Sequence, residues 1–245
     1  MLVLRDITRQ RSLDQERNEF ISVASHELRT PVAIAEANLS TVLLPHFTKL
    51  EPKAKTLLGQ SHDNLVFLGE LVQDLTTLSH AERGDLHPEF ALVDMGSLMA
   101  ELWRDYTASA DNRDLELKFV APSGTVSAVS SDQEVREILQ NFITNAIKYT
   151  EKGTVTLLTD RRHDGTVVLS VKDTGIGVSV SDKTRLFNKF YRSEDFRTRK
   201  TTGTGLGLYI ALKLAQRLGG TIELESKLNQ GSTFSLILPP RGLDE

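Results

Sequence analysis

Two glycine-containing segments in the second half of the chain have the composition of ligand-binding loops. Asp173 to Gly177, with the sequence DTGIG, follows an alternating apolar run that predicts a β-strand. A carboxylate at the end of a strand can accept a hydrogen bond from an exocyclic amine, and glycine lets the backbone approach a flat ring. Gly203 to Gly207 precedes a predicted helix, whose free amide groups and positive dipole end favour a phosphate. Taken singly, each segment is explained equally well by a plain turn or a flexible loop.

A third group of polar side chains lies on one predicted helix. Asn141 and Asn145 are four residues apart and share a helix face, with Lys148 near the same side. Two amide oxygens suit a hard cation, and an ammonium group suits a phosphate. A solvated helix face would show the same spacing.

Several other chemistries are excluded by motifs that are missing or incomplete. The sequence has no Gly-x-x-x-x-Gly-Lys-Ser/Thr loop and no His-Arg-Asp or Asp-Phe-Gly motif. His26-Glu27 begins like a zinc-protease helix, but Thr30 stands where the second histidine is required. Gly203 to Leu208 has leucine in place of the third glycine of a dinucleotide fingerprint. Neither a zinc site nor Rossmann-type binding is expected.

The composition is that of an ordinary globular protein. The chain has 245 residues, of which 39% are hydrophobic and 25% charged, and its formal net charge is -4. This balance gives no basis for binding nucleic acid or an anionic membrane. The absence of cysteine excludes disulfides and thiolate metal sites and fits a reducing compartment. Since no apolar run approaches the roughly 18 residues of a membrane helix, we expect this portion to be soluble and cytoplasmic without direct membrane contact. Membrane anchoring of a longer, full-length protein stays open.

The first part of the chain has the pattern of a helical hairpin. From about Arg9 to Leu44 there is no glycine, apolar residues recur at helical spacings, and Pro31 is predicted to bend the helix rather than end it. After a turn at Pro45, a second helix keeps two heptad positions. Their members are Leu58, Leu65 and Val72, and Ser61, Leu68 and Leu75. Since two helices cannot cover such wide apolar stripes, the pattern predicts a homodimer whose hairpins form a four-helix bundle.

The second part predicts a mixed domain after a polar linker at Glu82 to Pro88. Helices are predicted over Met95–Ala110, from a capping box at Ser131 to Tyr149, and over Leu206–Leu218. Strands are predicted at Leu115–Val120, in a hairpin that turns at Asp164-Gly165, and in a final pair containing Ile222 and Phe234. The arrangement is an α+β sandwich with an antiparallel or mixed sheet and helices on one face.

In this order, the segments of the second domain resemble the catalytic domain of the sensor histidine kinases of two-component signalling. Asn141 to Tyr149, NFITNAIKY, is similar to the N box of that family, and Leu186 to Arg192, LFNKFYR, to its F box. Asp173 to Gly177 and Gly203 to Leu208 resemble its two glycine boxes, and Gly231 to Phe234 resembles its last motif. The resemblance implies an ATP-binding sandwich of the Bergerat type.

The first domain carries a segment similar to the H box of the same family, FISVASHELRTP at residues 20–31. The resemblance implies that His26 accepts a phosphoryl group, and a neutral imidazole has one nucleophilic nitrogen when the other keeps its proton. It also implies that Glu27 binds that proton and acts as base. Transfer to an aspartate of a response regulator receiver domain would follow. Thr30 would help place water against the phosphorylated aspartate and support phosphatase activity.

The resemblance also assigns an ATP site. Asn141 and Asn145 would help hold Mg²⁺ on the ATP phosphates, Lys148 and Arg192 would reach phosphate oxygens, and Tyr149 would pack near adenine. The site is completed by Asp173, which would bind the adenine amino group, and by Gly175, Gly177, Gly203, Thr204, Gly205, Leu206, Gly207, Leu208 and Thr233. Phe187 to Thr202 would form a mobile lid over the nucleotide. Asn229 departs from the family pattern, because the last motif often has glycine at this place.

Leu2 to Thr8, LVLRDIT, resembles the last strand and exit of a PAS sensor domain. The expected domains are therefore the end of an upstream PAS-like sensor segment at 1–8, a dimerisation and histidine phosphotransfer domain at 9–84, and a catalytic ATP-binding domain at 85–245. Related gyrase, heat-shock-chaperone and mismatch-repair ATPases carry a glutamate where this chain has Asn141. An amide cannot take a proton from water, so slow hydrolysis is expected. The alternatives are a hydrolytic ATPase of that superfamily and a dimeric signalling module that binds nucleotide without kinase activity.

Overall fold

The computed structural model describes residues 25, 28–43, 51–83, 88–122, 124–193, 195–199 and 203–242. They fall into two compact units, of which the first contains the helices up to Arg83 and the second contains the described strands. Residues 1–8, His26 and Glu27 lie outside the described ranges. None of the helices within these ranges is long and apolar enough to span a membrane.

The first unit is an antiparallel pair of helices, α1 over residues 28–43 and α2 over Pro52–Arg83. Arg29 Nη2 donates to Thr76 Oγ1 at 3.2 Å, and Ser40 Oγ lies 3.0 Å from His62 Nε2. Early residues of α1 therefore face late residues of α2. The helix continues through Pro31. The bend predicted at this proline stays a prediction, because it depends on residues outside the described ranges.

One hairpin buries only part of its apolar stripe. Val32 and Val72 are 7% and 2% exposed, whereas Leu28, Ile34 and Leu68 are 49%, 58% and 38% exposed. Burying apolar surface stabilises a protein by about 25 cal/mol per Å², and apolar surface that stays in water does not contribute this stabilisation. The exposed part of the stripe is the surface that the predicted second copy would cover.

The second unit contains a five-stranded sheet with helices packed against it. In chain order its elements are β1 (Ala91–Asp94), α3 (Met95–Asp111), β2 (Leu115–Val120), β3 (Ser127–Ser130), α4 (Asp132–Tyr149), β4 (Gly153–Arg161), β5 (Val167–Asp173), α5 (Val180–Lys183), α6 (Phe196–Arg199), α7 (Gly207–Arg217), β6 (Thr221–Lys227) and β7 (Gly231–Leu238). The strand order is β2-β4-β5-β7-β6, with β2 parallel to β4 and the other neighbours antiparallel. The prediction of a mixed α+β sandwich is confirmed.

Helix α4 supplies much of the core. Its apolar residues recur every three or four positions and are buried, as in Ile138, Phe142 and Ala146. Phe142 packs on Phe234 of β7 with ring centroids 5.4 Å apart. The α4 repeat is therefore what fixes the helix to the sheet.

The capping box predicted at the start of α4 is wrong. Ser131 is the N-cap residue, but its side chain makes no capping hydrogen bond. Glu134 instead pairs with Arg217 of α7, with Oε1 and Nη2 3.1 Å apart. A tertiary ion pair has replaced the local contact that the sequence pattern favours.

The chain enters and leaves the second unit at neighbouring points. The Arg241 guanidinium, beyond β7, lies over the ring of Phe90, just before β1, with Cζ 3.8 Å from the ring centroid. Such a cation–π contact ties the two segments together.

Candidate nucleotide-binding site

Asp173 is a buried carboxylate at the end of β5. It is 6% exposed, and its Oδ1 accepts hydrogen bonds from Gly175 N at 2.8 Å and Ser232 N at 3.2 Å. Burial raises the pKa of Asp173 above its usual value, although these two hydrogen bonds act in the opposite direction. Among the described residues, both hydrogen bonds fall on Oδ1, so Oδ2 is the oxygen left to accept from a ligand amine.

The glycines after Asp173 allow three backbone segments to meet. A Cβ on Gly175 would lie 2.3 Å from the Tyr149 carbonyl oxygen, and a Cβ on Gly177 would lie 2.1 Å from the Lys227 carbonyl oxygen. Gly177 also has φ +65°, which favours glycine. In the structure these glycines approach the end of α4 and the end of β6, and the predicted approach to a ligand ring stays a prediction.

Helix α4 connects the two glycine segments. At its C-terminal end, the Tyr149 carbonyl accepts from Ile176 N at 3.1 Å. Two turns earlier, Asn141 Nδ2 donates to Glu137 O at 2.9 Å, and a Cβ on Gly207 would lie 2.2 Å from Asn141 Oδ1. The Asn141 amide therefore lies against the start of α7. The two glycine segments are far apart in the sequence, and in the fold both of them contact α4.

The remaining polar residues of α4 lie between these two points. Asn145 is partly buried, one turn after Asn141. The Lys148 ammonium lies 5.1 Å from the centroid of the Tyr149 ring. This side of α4 therefore carries two amide groups followed by one ammonium group.

The second glycine segment leads into α7 through a tight contact. Gly205 has φ +72°, and a Cβ on it would lie 2.8 Å from the Phe190 carbonyl carbon. Leu206 is fully buried and is the N-cap residue, with no side-chain cap on the helix. Gly203, Thr204 and Leu208 are partly exposed around this turn. A helix start next to Asn141 whose N-cap residue contributes no side-chain hydrogen bond is compatible with the predicted phosphate contact.

The end of the F-box segment is hydrogen-bonded to α5. Tyr191 Oη and Ser193 Oγ both donate to the Asp182 carboxylate at 2.7 Å, and these hydrogen bonds lower the pKa of Asp182. Arg192 is exposed and donates to the Thr198 carbonyl at 3.1 Å. Its predicted role toward phosphate stays a prediction. Thr233, on β7, directly follows Ser232, which binds Asp173.

A cleft of about 330 Å³ opens beside the end of α4. Its lining residues are Arg113, Lys148, Tyr149, Thr150, Glu151, Ile176 and Arg197. Thr150 Oγ1 is buried and has no hydrogen-bond partner among the residues that the structure describes. A buried hydroxyl without a partner is costly, and a ligand polar group would satisfy it. Sequence reasoning missed Arg113 and Thr150, because neither belongs to a glycine, asparagine or histidine motif.

The predicted metal ligands are amides. No group of three or more histidine, aspartate or glutamate side chains in the described ranges is placed to hold a metal ion. Asn141 and Asn145 fit Mg²⁺ that arrives already bound to phosphates, because this ion keeps several of its own oxygen ligands. Of the predicted phosphotransfer residues, Thr30 is described and is exposed on α1, whereas His26 and Glu27 lie outside the described ranges.

Two family models match the chain. Residues 131–242 match the histidine kinase-, DNA gyrase B- and HSP90-like ATPase, and residues 16–84 match the His kinase A phosphoacceptor domain. Among similar proteins, the sensor-like histidine kinase SenX3 of Mycobacterium tuberculosis is 34% identical over 93% of this chain and 55% of its own length. Sensor histidine kinase RppB of Synechocystis is 32% identical over 92% and 49%, respectively. The chain thus spans about half the length of these relatives.

Solved structures agree with these matches. Full-length ShkA in complex with AMPPNP superposes with a TM-score of 0.71 at 29% identity, covering 90% of this chain and 45% of that one. The Acinetobacter baumannii histidine kinase AdeS superposes with a TM-score of 0.60 at 25% identity, covering 89% and 98%.

Proposed function

Because this chain belongs to the sensor histidine kinases of two-component signalling, we propose that it uses ATP to phosphorylate its own His26. The phosphoryl group then passes to an aspartate of a response regulator receiver domain. Residues 9–84 act as the dimerisation and phosphotransfer domain and residues 85–245 as the catalytic domain. A PAS-like segment at residues 1–8 precedes them. The reaction takes place in the cytoplasm without nucleic acid or direct membrane contact by this part of the protein.

One observation carries the ATP-binding half of this proposal. Helix α4 contacts the start of α7 through Asn141 and the loop after Asp173 through Tyr149. A nucleotide laid along α4 would meet Asp173 with its adenine amino group and the start of α7 with its phosphates. The AMPPNP complex of the similar kinase ShkA supports this choice of ligand.

The residues of the site position the ATP and neutralise the charge of its phosphates. Asp173 accepts from the adenine amine, Tyr149 packs beside the base, and Lys148 and Arg192 pair with phosphate oxygens. The remaining contacts come from Gly175, Gly177, Gly203, Thr204, Gly205, Leu206, Gly207, Leu208 and Thr233. Asn141 and Asn145 hold Mg²⁺, which neutralises phosphate charge when bound.

The phosphotransfer step belongs to the hairpin. A ring nitrogen of His26 attacks the γ-phosphorus, a nitrogen–phosphorus bond forms, and ADP leaves with the bridging oxygen. Glu27 holds the proton on the other ring nitrogen. The exposed position of Thr30 on α1, four residues further on, supports a role in dephosphorylating the regulator. The exposed apolar side chains of the hairpin support a homodimer.

The decisive experiment is incubation with Mg²⁺ and ATP labelled at the γ-phosphate. Acid-labile, base-stable label is expected on the wild-type protein and absent from His26→Ala. His163→Ala is the matched control and should label normally, because His163 is exposed in the β4–β5 turn. Equal labelling of wild type and His26→Ala would rule out His26 as the acceptor.

The same experiment separates the alternatives. Free phosphate released faster than protein is labelled would favour a hydrolytic ATPase, against which Asn141 argues because it cannot act as a base. ATP binding without any labelling would favour a non-enzymatic nucleotide-binding module. Passing the labelled protein to purified receiver domains then tests the second transfer.

A further inference from the structure

We propose that Arg197 is a positioning residue that fastens the segment 195–199 to the β6–β7 turn and so holds it beside the nucleotide cleft. This proposal rests on the function proposed above. The Arg197 guanidinium makes two sets of contacts. Nε donates to both carboxylate oxygens of Asp195, at 3.0 and 3.2 Å, and Nη2 donates to Oδ2 at 2.6 Å. Nη1 donates to Asn229 Oδ1 at 2.8 Å.

Asp195 orients the guanidinium for the contact with the turn. The hydrogen bonds from Arg197 lower the pKa of Asp195 to about 2, so the carboxylate is ionised at neutral pH. A planar guanidinium held by a carboxylate on one edge presents its remaining donors in a fixed direction. Because Asp195 already fixes the guanidinium, the hydrogen bond from Arg197 to Asn229 costs little further side-chain conformational entropy.

Asn229 is in turn joined to the loop that follows Asp173. Its backbone N donates to the Ile176 carbonyl at 2.7 Å. Nearby, Val178 N donates to Ser226 Oγ at 2.8 Å, and Lys183 Nζ donates to the Ser226 carbonyl at 2.5 Å. The β6–β7 turn is thus packed firmly on the glycine loop, and a segment fastened to Asn229 is fastened to the site.

The side chain of Asn229 is not needed for the turn itself. Asn229 has φ +62°, a conformation that glycine adopts without strain and that asparagine tolerates better than most residues. A glycine at this position would form the same turn without an acceptor. The amide oxygen of Asn229 therefore has a separate use, which is to receive Arg197.

This contact is a second attachment for the segment that the sequence predicts to be a lid. The first attachment is made by Tyr191 and Ser193, which donate to Asp182. Arg197 lines the cleft together with Tyr149 and Ile176. Loss of the second attachment would move Arg197 away from the cleft and speed release of a bound nucleotide.

The test compares Asn229→Gly with Asn229→Asp in the complete chain. Glycine keeps the turn and removes only the acceptor, whereas aspartate keeps an acceptor in a conformation that it also tolerates. Because the contact is exposed, the expected effects are modest. Amide hydrogen exchange at residues 195–199 without nucleotide should be about threefold faster in Asn229→Gly. The calorimetric Kd for ATP with Mg²⁺ should rise by about the same factor. Asn229→Asp should match wild type in both.

Two outcomes would overturn the proposal: unchanged exchange in Asn229→Gly, or faster exchange with an unchanged Kd. Arg197→Ala should raise the exchange rate and the Kd at least as much as Asn229→Gly, because it also removes the hydrogen bonds to Asp195. Adding Asn229→Gly to Arg197→Ala should change neither quantity further, since the partner of Asn229 is already gone. If wild type itself binds no ATP, the proposed function fails. The exchange rates then decide alone whether Arg197 fastens the segment.

Discussion

The two units differ in how completely one copy of the chain buries its apolar residues. In the α+β unit, Ile138, Phe142 and Leu236 are fully buried, and the core is closed by α4, α7 and the sheet. In the hairpin, Leu28 and Ile34 remain about half exposed. The unit with the proposed ATP site is therefore complete in one chain. The unit with the proposed phosphoacceptor leaves apolar side chains exposed in one chain, which is where the predicted second copy would pack.

This difference separates two sources of stability. The stability of the α+β unit comes from intrachain packing and should not depend on protein concentration. If the hairpin dimerises as predicted, its stability should include a bimolecular contribution and rise with protein concentration. The chain contains one tryptophan. Trp103 lies in α3 of the second unit, where Nε1 donates to the Leu117 carbonyl at 3.0 Å, so its fluorescence reports on that unit.

The largest effect is expected from Phe142→Ala. The substitution removes a fully buried ring that packs on Phe234 and should lower the free energy of unfolding of the α+β unit by about 3–5 kcal/mol. Denaturant titration followed by Trp103 fluorescence measures this loss. Phe142→Leu, the milder control, should lose less. Sedimentation should still show the same dimer, and a change in dimerisation would contradict the independence of the two units.

The second effect concerns binding rather than packing. In Asp173→Asn, the side-chain oxygen can still accept from Gly175 and Ser232, but its amide group donates where the adenine amine also donates. The affinity for ATP should therefore fall about 30-fold, as measured by calorimetry. Labelling of His26 should fall with it.

The same variant tests whether the site costs stability. Because burial raises the pKa of Asp173 above the usual 3.8, folding favours the protonated carboxyl. The protonated carboxyl of Asp173 contributes fully to the free energy of unfolding at pH values below the usual pKa. This contribution is lost as the pH rises through the raised pKa of the folded state. Asp173→Asn should thus be at least as stable as wild type at pH 8. If Asp173→Asn had a lower denaturation midpoint than wild type at pH 8, the buried charge of Asp173 would not be destabilising the fold.

The third effect is confined to the hairpin. Ile34→Ser removes an apolar side chain that is 58% exposed in one copy and would be covered by the second. Covering it contributes about 1 kcal/mol per side chain, and twofold symmetry counts it twice. Sedimentation equilibrium should show a dimer Kd about 30-fold weaker. Ala33→Ser, at an exposed position next to Ile34 but on a different side of the helix, should leave the Kd unchanged.

The smallest effects are expected from replacing one glycine by alanine in each unit. Gly59 lies inside α2, and a Cβ there would meet nothing within 4 Å, so Gly59→Ala should stabilise the hairpin by about 0.5–1 kcal/mol. Gly219 follows α7 with φ +74°, so Gly219→Ala should destabilise the α+β unit by about 1 kcal/mol. Circular dichroism and Trp103 fluorescence measure the two shifts. Parallel shifts of both signals in either variant would show that the units unfold together.

The long elements of the second unit were predictable because their apolar periods are uninterrupted. The structure has α3 at Met95–Asp111, close to the predicted Met95–Ala110, and β2 at the predicted Leu115–Val120. The short pair β1 and β3 was missed, because four residues show too little alternation and their pairing is long-range. The Glu134–Arg217 pair was also missed, since local pattern cannot reveal a partner on another helix.

The motif residues were identified from the sequence, but their mutual contacts were not. Glycine at 175 and 177 was expected to let the backbone approach a ligand. It serves close approach to the backbone at Tyr149 and Lys227, which no local rule contains. Arg113 and Thr150 enter the cleft only because the turn after α3 and the end of α4 are brought together in the fold.

The stacking of Arg241 on Phe90 has a consequence for how such a domain can be reused. Since the entering and leaving segments meet at one place, the domain can be inserted into, or removed from, a longer polypeptide without stretching the host chain. Neighbouring modules could be exchanged on either side while the distance between the two attachment points stays the same. The α+β unit can thus be transferred as a whole from one longer polypeptide to another, in evolution or by protein engineering.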